Sequence, residues 1–447
     1  DKGRKHLGAV VGTQSYKYEF IKDKIDVWVK ELKVLSEIAL VEPHAAYSAF
    51  THGYKHKFTY FMRTIDEISN ELKTLDEVIE KLIKNLFYGH DLNAVERKII
   101  ALPVRLGGLG IFVPSECADI QHRSSKLITS SLSNAIVNQR DFTAEDKDEI
   151  KIRRKEVKQN IDRSYQIKID EIKRMLPEER NKILELTSEQ GASSWLSAIP
   201  IQKYGFYLEK QSFWDALRLR YGIPLTRMPT NCVCGTINSI EHSLNCKRGG
   251  FIIIRHNDIR DFTCELLGEV CHDVEKEPML TPLTGETFSL ASTNKSNEAR
   301  CDVSARGLWN RGQKAYVDIK VFNPLSKIYH NKNVQAMYRT NEQTKKRLYN
   351  TRVLEVENAT FTPLVFSCFG GQGFERKRFY QRINEKLSEK RDVPPSVSMK
   401  YIRTKISFSL IRSALLCLRG SRSAKDKKGS LLGDTDLKIA IAESKFK

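Results

Sequence analysis

Residues 315–322 read Ala-Tyr-Val-Asp-Ile-Lys-Val-Phe, a run in which apolar and polar side chains alternate. In a β-strand, successive side chains point to opposite faces of the sheet. Val317 and Ile319 therefore share one face, and Asp318 and Lys320 share the other. The pattern predicts a strand of an α/β domain that carries an acid and a lysine side by side.

A second strand is expected upstream, in residues 300–304 (Arg-Cys-Asp-Val-Ser). A turn at residues 309–312 (Trp-Asn-Arg-Gly) separates the two runs, which indicates an antiparallel hairpin. If the hairpin is centred on Asn310, Asp302 and Asp318 are equally distant from its centre and lie directly opposite each other. Their Cβ atoms would then be roughly 5 Å apart.

Two carboxylates at that distance repel each other unless a cation lies between them. Mg²⁺ and Mn²⁺ bind oxygen ligands, so Asp302 and Asp318 are expected to hold a catalytic divalent metal. Lys320 would add a positive charge beside that metal, and the group can activate a water and stabilise charge on an attacked phosphate. The alternative is an exposed edge strand on which Asp and Lys form weak ion pairs.

Two helices near this hairpin carry further charged residues. One, expected from about residue 255 to residue 270, has three acids on its flank: Asp258, Glu265 and Glu269. One of these acids would complete the metal site, and an ordinary charged helix face is the alternative.

The other helix contains the run Thr-Lys-Lys-Arg-Leu-Tyr at residues 344–349. Lys345 or Lys346 falls three or four residues before Tyr349, so a lysine and the tyrosine share one helix face. This spacing is typical of a surface that contacts phosphate, and we expect these residues to touch nucleic acid.

A metal site is predicted from four residues within a short segment: Cys232, Cys234, His242 and Cys246. Thiolate and imidazole ligands at short loop spacings suit tetrahedral Zn²⁺, and four protein ligands leave no open position for catalysis. The site would therefore be structural. A chance grouping of buried cysteines is the alternative, and the Cys-x-Cys spacing is tighter than the usual two-residue gap.

Composition limits the class of protein. The chain has 447 residues, 74 Lys and Arg against 55 Asp and Glu, and a net charge of +19. This size predicts two to four domains, and the positive charge favours a polyanionic partner such as nucleic acid. The apolar runs are too short for a membrane-spanning helix, and the uneven, odd set of nine cysteines favours an intracellular protein over a disulfide scaffold.

Five zones follow from the pattern along the chain. We expect a helical bundle over 1–125, a charged helical linker over 126–190, and linker helices with the zinc site over 191–250. A domain of mixed helices and strands is expected over 251–423, and a flexible tail over 424–447. The chain begins at Asp1 rather than Met, which suggests a fragment of a longer protein.

The order of these motifs resembles the C-terminal region of non-LTR retrotransposon polyproteins that carry a restriction-enzyme-like endonuclease. Those proteins end with a reverse-transcriptase thumb, a linker, a Cys/His zinc knuckle and a nuclease of the PD-(D/E)xK type. In the upstream half, residues 5–8 (Lys-His-Leu-Gly) are similar to the segment after the palm. Residues 102–110 (Leu-Pro-Val-Arg-Leu-Gly-Gly-Leu-Gly) are similar to the glycine motif of the thumb.

The downstream half contains the more specific matches, because the four zinc ligands resemble the knuckle and the acidic pair resembles the nuclease motif. The matching residues are Arg255 at the start of the nuclease's first helix, Asp302 and Asp318-x-Lys320 in the active site, and Lys345 or Lys346 with Tyr349 in the lysine–tyrosine element. Cys301 stands where the family has proline, and the knuckle spacing is compressed.

The resemblance implies a multidomain α plus α/β protein with a restriction-endonuclease-like domain. Its nuclease would nick target DNA and expose a 3′-hydroxyl that primes reverse transcription of the element's RNA. Asp302 and Asp318 would bind Mg²⁺ or Mn²⁺, and Lys320 would position water or stabilise the charged phosphate. Zinc would order the knuckle, and Arg255 with the lysine–tyrosine element would contact nucleic acid.

The remaining partners follow from the same resemblance. Thumb and linker would bind template RNA or an RNA–DNA heteroduplex, and the polymerase palm would belong to an upstream part of the full-length protein. The protein would act in the nucleus when it cuts DNA. Two alternatives stay open: an inactive nucleic-acid-binding remnant of such an element, and a host PD-(D/E)xK repair or recombination nuclease.

Overall fold

A computed structural model describes residues 2–281 and 300–420 of the chain. The tail expected at 424–447 lies outside these residues, as does a part of the domain expected at 251–423. The described chain is mostly helical, with a small mixed sheet. Within it, no helix combines the length and the apolar character needed to cross a lipid bilayer.

The described residues form two compact units. The first unit contains the chain up to residue 181 together with 208–217, and the second contains 182–207 together with the chain from 218 onward. The zinc-ligand segment thus belongs to the same unit as the mixed sheet, and the expected zone 191–250 is shared between the two units.

The first unit begins with a hairpin and continues with helices. Its elements are β1 (Gly3–His6), β2 (Ala9–Gly12), α1 (Gln14–Ile38), α2 (Pro43–Ala49), α3 (Lys55–Thr64), α4 (Lys73–Leu86), α5 (Ala94–Ala101), α6 (Pro114–Ile128), α7 (Ser130–Val137) and α8 (Ala144–Met175). The apolar residues that recur at helical spacing in α1 and α4, such as Leu32 and Leu82, are buried where these helices pack together.

The charged zone forms mainly one long helix. Helix α8 has 32 residues, and Thr143 and Asp146 make a capping box at its beginning. Of its narrow apolar stripe, Val157 and Ile172 are buried. The sequence predicted a charged helical linker over 126–190, and a single helix spans residues 144–175 of it.

The glycine-rich segment 102–110 is a turn packed against its own helices. A Cβ atom on Gly108 would lie 1.9 Å from the Leu102 carbonyl oxygen, so only glycine allows this approach. Leu109 and Ile111 beside it are buried. The segment therefore has a packing role.

Helices α9 (Glu178–Ser188) and α11 (Lys210–Tyr221) each have residues in both units. The other elements of the second unit are α10 (Ser194–Ser197), α12 (Ile240–Asn245), α13 (Phe251–Val270), β3 (His272–Lys276), β4 (Val303–Arg306), β5 (Lys314–Phe322), α14 (Val334–Thr351), β6 (Thr360–Ser367), α15 (Phe374–Arg391) and α16 (Pro395–Arg419). The sheet order is β3-β4-β5-β6. The first three strands are antiparallel neighbours, whereas β5 and β6 are parallel and joined through α14.

Strand β5 lies inside the sheet and is covered on both faces. Val317 and Ile319 pack into a core with α13, α15 and α16, while Tyr316 packs on the opposite face against Val353 and Phe361. This arrangement excludes the alternative of an exposed edge strand. The hairpin has the predicted register, because Val303 lies opposite Val317.

Candidate metal centre and acidic site

The cysteine cluster is built on a tight turn and a short helix. Asn231 and Ile237 form an isolated β-bridge around the turn, and Gly235 supplies a left-handed conformation with φ of +87°. Ser239 then caps α12 by accepting a hydrogen bond from the His242 backbone N–H. The turn positions the two cysteines of the Cys-x-Cys pair, and the helix positions His242.

The four predicted ligands converge. Their ligand atoms all lie within 4.8 Å of one another. The Cys232 and Cys246 sulfurs are 3.7 Å apart, and the Cys234 sulfur lies 3.3 Å from the His242 Nε2. A tetrahedron of Zn–S bonds of ~2.3 Å has edges of about 3.8 Å, so the spacing fits a tetrahedral metal such as zinc. The predicted cluster can therefore bind a structural metal ion.

The acidic pair forms a second site at the β4–β5 hairpin. The Asp302 backbone N–H donates to the Val317 carbonyl oxygen at 3.0 Å, and Asp302 directly precedes Val303, the first paired residue of β4. The Asp302 Oδ2 accepts from the Ile319 backbone N–H at 2.5 Å and lies 3.1 Å from the His256 Nε2. These contacts fix the orientation of the Asp302 carboxylate.

Asp318 is buried, with 4% of its surface exposed. Its Oδ2 lies 2.6 Å from the Nζ of Lys345. Burial raises the pKa of Asp318 above its ordinary value, against the opposing charge of Lys345. Burial lowers the pKa of Lys345, but the Asp318 carboxylate outweighs this effect and the pKa is raised overall. A buried carboxylate of this kind gains free energy from any nearby cation.

Lys320 and Tyr349 belong to the same site. Burial, followed by the charge of Lys345, lowers the pKa of Lys320. The Tyr349 ring centroid lies 5.8 Å from the Lys345 Nζ, which itself lies 2.6 Å from the Asp318 carboxylate. Burial, followed by the charge of Asp318, raises the pKa of Tyr349 strongly, so its phenol stays protonated. Of the two residues expected as phosphate contacts, Lys345 thus pairs with Asp318, and Tyr349 lies beside that lysine.

Lys346 lies elsewhere. Its Nζ is 2.5 Å from the Glu375 carboxylate at the beginning of α15. The sequence left open which lysine shares the tyrosine's face, and Lys345 is the one that lies at Asp318. Lys346 is partly exposed and forms an ordinary ion pair.

The expected surface role of Arg255 is wrong. Arg255 is 2% exposed, and its guanidinium donates to the carbonyl oxygens of Leu244 and Val321. A buried guanidinium that satisfies backbone oxygens has no access to a phosphate. Arg255 therefore stabilises the junction of α12, α13 and β5.

The helix acids have other partners. Asp258 accepts a hydrogen bond from the Ser409 hydroxyl, and Glu269 accepts from Arg391 at 2.9 Å. Glu265 lines a separate cavity. The contact that α13 makes with the acidic pair comes from His256, which sequence reasoning missed. A signal was present, since His256 precedes the buried Ile259 by three residues and shares its helix face.

The described part of the second unit thus contains a thiol–imidazole cluster suited to zinc. It also contains an oxygen-rich site with lysines and a tyrosine around two carboxylates. No protein-family model matches the chain, and no curated protein matches its sequence.

Proposed function

We propose that the second unit is a metal-dependent DNA endonuclease of the restriction-like PD-(D/E)xK class, in the C-terminal part of a retroelement reverse transcriptase. The observation that carries this proposal is the convergence of Asp302, Asp318 and Lys345 around the β4–β5 hairpin, with Lys320 on the same strand. Acids and lysines in this arrangement suit attack on a phosphodiester.

The topology supports the proposal. A helix, three antiparallel strands, a crossover helix and a parallel strand follow each other in α13, β3, β4, β5, α14 and β6. The acids lie at the central hairpin of this arrangement, where helices cover both faces of the sheet. This order agrees with the restriction-like fold that the motif order implies.

The donor set fits Mg²⁺ or Mn²⁺, because both ions prefer carboxylate oxygens and Asp302 and Asp318 offer two carboxylates from adjacent strands. Such an ion, when bound, polarises the scissile phosphate and lowers the pKa of a bound water. Lys320, which follows Asp318 by two residues in β5, would position the attacking water or stabilise the charged phosphate. The Tyr349 ring lies beside Lys345 and would help to keep that lysine at the Asp318 carboxylate.

The rest of the chain would bind and orient nucleic acid. The metal cluster would order a knuckle whose Lys247 and Arg248 line a cavity of about 520 Å³ beside Cys246. These two cations and the net charge of +19 favour contacts with phosphates, so binding should weaken steeply with salt. The helical first unit would bind template RNA or heteroduplex, and the protein would act in the nucleus.

The chemistry of the cut tests the proposal. Supercoiled plasmid is incubated with the full chain and Mg²⁺, Mn²⁺ or EDTA, and nicked product is then offered to a DNA polymerase with labelled nucleotide. We expect nicks only with Mg²⁺ or Mn²⁺, and extension of each nick, because a 3′-hydroxyl is needed to prime synthesis. Nicks that persist in EDTA, or that no polymerase extends, would contradict the proposal.

One observation favours a second candidate, a chain that binds nucleic acid without cutting it. Lys345 already neutralises Asp318 at 2.6 Å, and this ion pair competes with a metal for the carboxylate. A folded, zinc-loaded chain that retains DNA but leaves plasmid intact at every Mg²⁺ and Mn²⁺ concentration would establish this candidate.

A further inference from the structure

The second unit contains an aromatic cavity of about 730 Å³ that neither proposed site uses. Four rings line it: Tyr204, Phe206, Phe262 and Tyr401. They come from three separate stretches, namely the loop after α10, the middle of α13 and the first half of α16. Such convergence of rings creates a surface for a flat, apolar group.

The rings are held in place before any ligand arrives. Phe206 stacks on Phe408 with ring centroids 5.4 Å apart, and Phe262 meets the Tyr401 ring at 6.4 Å. Tyr204 and Tyr401 remain accessible, with 50% and 36% of their surfaces exposed. A preorganised surface loses little entropy when a ligand binds.

The charged side chains that line the cavity differ in whether another residue already pairs with them. Glu269 is paired with Arg391. The Lys405 Nζ lies 5.7 Å from the centroid of the Phe206 ring. The Glu265 carboxylate has no hydrogen bond or ion pair with any residue that the structure describes, and burial raises its pKa. Glu265 is therefore an acceptor available to a ligand.

Methylated ammonium groups and nucleobases both bind aromatic cavities, and the charges of this cavity decide between them. A methylated ammonium would favour the rings and Glu265, but it would also meet the cationic Lys405 and Arg391 in the same cavity. A nucleobase stacks on aromatic rings irrespective of sequence, and its phosphates are attracted to those two cations. The base edge supplies the N–H donors that a carboxylate accepts.

We propose that this cavity binds an unpaired base of single-stranded nucleic acid, stacked on Tyr204 and Tyr401, with Glu265 accepting hydrogen bonds from its edge. Guanine fits best, because its N1–H and amino group are adjacent donors that match the two oxygens of a carboxylate. This activity goes beyond the nuclease and does not depend on cleavage.

Fluorescence anisotropy at fixed salt tests the inference with the full chain and two labelled oligonucleotides, an all-thymine 12-mer and the same strand with one central guanine. Loss of one stacked base costs ~1–3 kcal/mol, so Tyr204→Ala and Tyr401→Ala should each weaken binding about tenfold. Glu265→Gln should remove the preference for the guanine strand and leave thymine binding unchanged. Phe374→Ala, at a ring that is 65% exposed and outside the cavity, is the matched control.

Duplex binding and plasmid nicking are measured on the same samples. We expect both to be unchanged in the two tyrosine variants, and a chain that fails to nick can still show the base-binding result. Unchanged single-strand affinity in both tyrosine variants would overturn the inference. The same holds if the tyrosine variants lose no more affinity than the control Phe374→Ala. In that case another occupant, such as a protein segment, would be sought.

Discussion

At the scale of the residue, neighbouring side chains of identical chemistry have different surroundings. Lys345 and Lys346 are consecutive in α14, yet one contacts the buried Asp318 and the other pairs with Glu375 at the edge of α15. A charge acts far more strongly in a buried site than on a solvated surface. The proposed catalytic role therefore belongs to one lysine and not to its neighbour.

This difference predicts an asymmetric result for two alanine substitutions. Lys345→Ala removes the cation beside Asp318, and we expect plasmid nicking to fall about 100-fold, as for other buried charge-stabilising groups. Lys346→Ala should stay within about twofold of wild type, because its ion pair is partly exposed. Equal effects in a nicking time course would contradict the assignment.

A second acid, the half-buried Glu189, makes the stability of the fold depend on pH. Burial raises the pKa of Glu189 to about 7, even though the Tyr338 hydroxyl donates to its Oε2 at 2.8 Å. The folded state therefore prefers the neutral acid. The stability that this acid contributes is complete below pH 4.5, and it is lost as the pH rises to about 7.

Glu189→Gln imitates the neutral acid at every pH. We expect its free energy of unfolding to match that of wild type near pH 4 and to exceed it by about 3 kcal/mol at pH 8, from the size of the pKa shift. Urea unfolding of both proteins at the two pH values is the measurement. A variant less stable than wild type at pH 8 would show that the charged carboxylate stabilises the fold.

At the scale of the element, the stability of the segment from Cys232 to Cys246 depends more on its metal ligands than on buried apolar side chains. It contains one short helix and one β-bridge, and two of its apolar side chains, Val233 and Ile237, are exposed. So little buried apolar surface cannot order a loop of this length. The free energy of metal binding would supply the missing stability.

Metal content tests this dependence. The purified chain should contain one zinc ion by elemental analysis, and Cys232→Ser should reduce the content to near zero because tetrahedral sites need all four ligands. Cys117→Ser is the control, since Cys117 lies in α6, outside the cluster. Full zinc content in Cys232→Ser would mean that the metal lies elsewhere.

At the scale of the whole molecule, the features that nearby residues determine were predicted better than the features that depend on residues far apart in the sequence. The symmetric spacing around Asn310 was enough to predict the hairpin register, in which Val303 lies opposite Val317. The short spacing between the four zinc ligands was likewise enough to predict that they cluster. Helical periodicity likewise predicted α1, α4 and α8.

Other features depend on tertiary contacts that no local pattern contains. Arg255 donates to the carbonyl oxygens of Leu244 and Val321, and Val321 is 66 residues away in the sequence. The same is true of the contact between His256 and Asp302. The division into units also crosses the expected zones, since residues 208–217 belong with the first unit.

The most direct test of the central claim is a comparison of Asp318→Asn with Asp273→Asn in the nicking of supercoiled plasmid with Mg²⁺. Both substitutions remove one carboxylate from the same sheet, but the Asp273 side chain is 69% exposed and paired with Arg306. We predict that wild type and Asp273→Asn nick equally, while Asp318→Asn is at least about 100-fold slower. Equal nicking by Asp318→Asn, or none by a folded wild-type chain that binds the plasmid, would contradict the account.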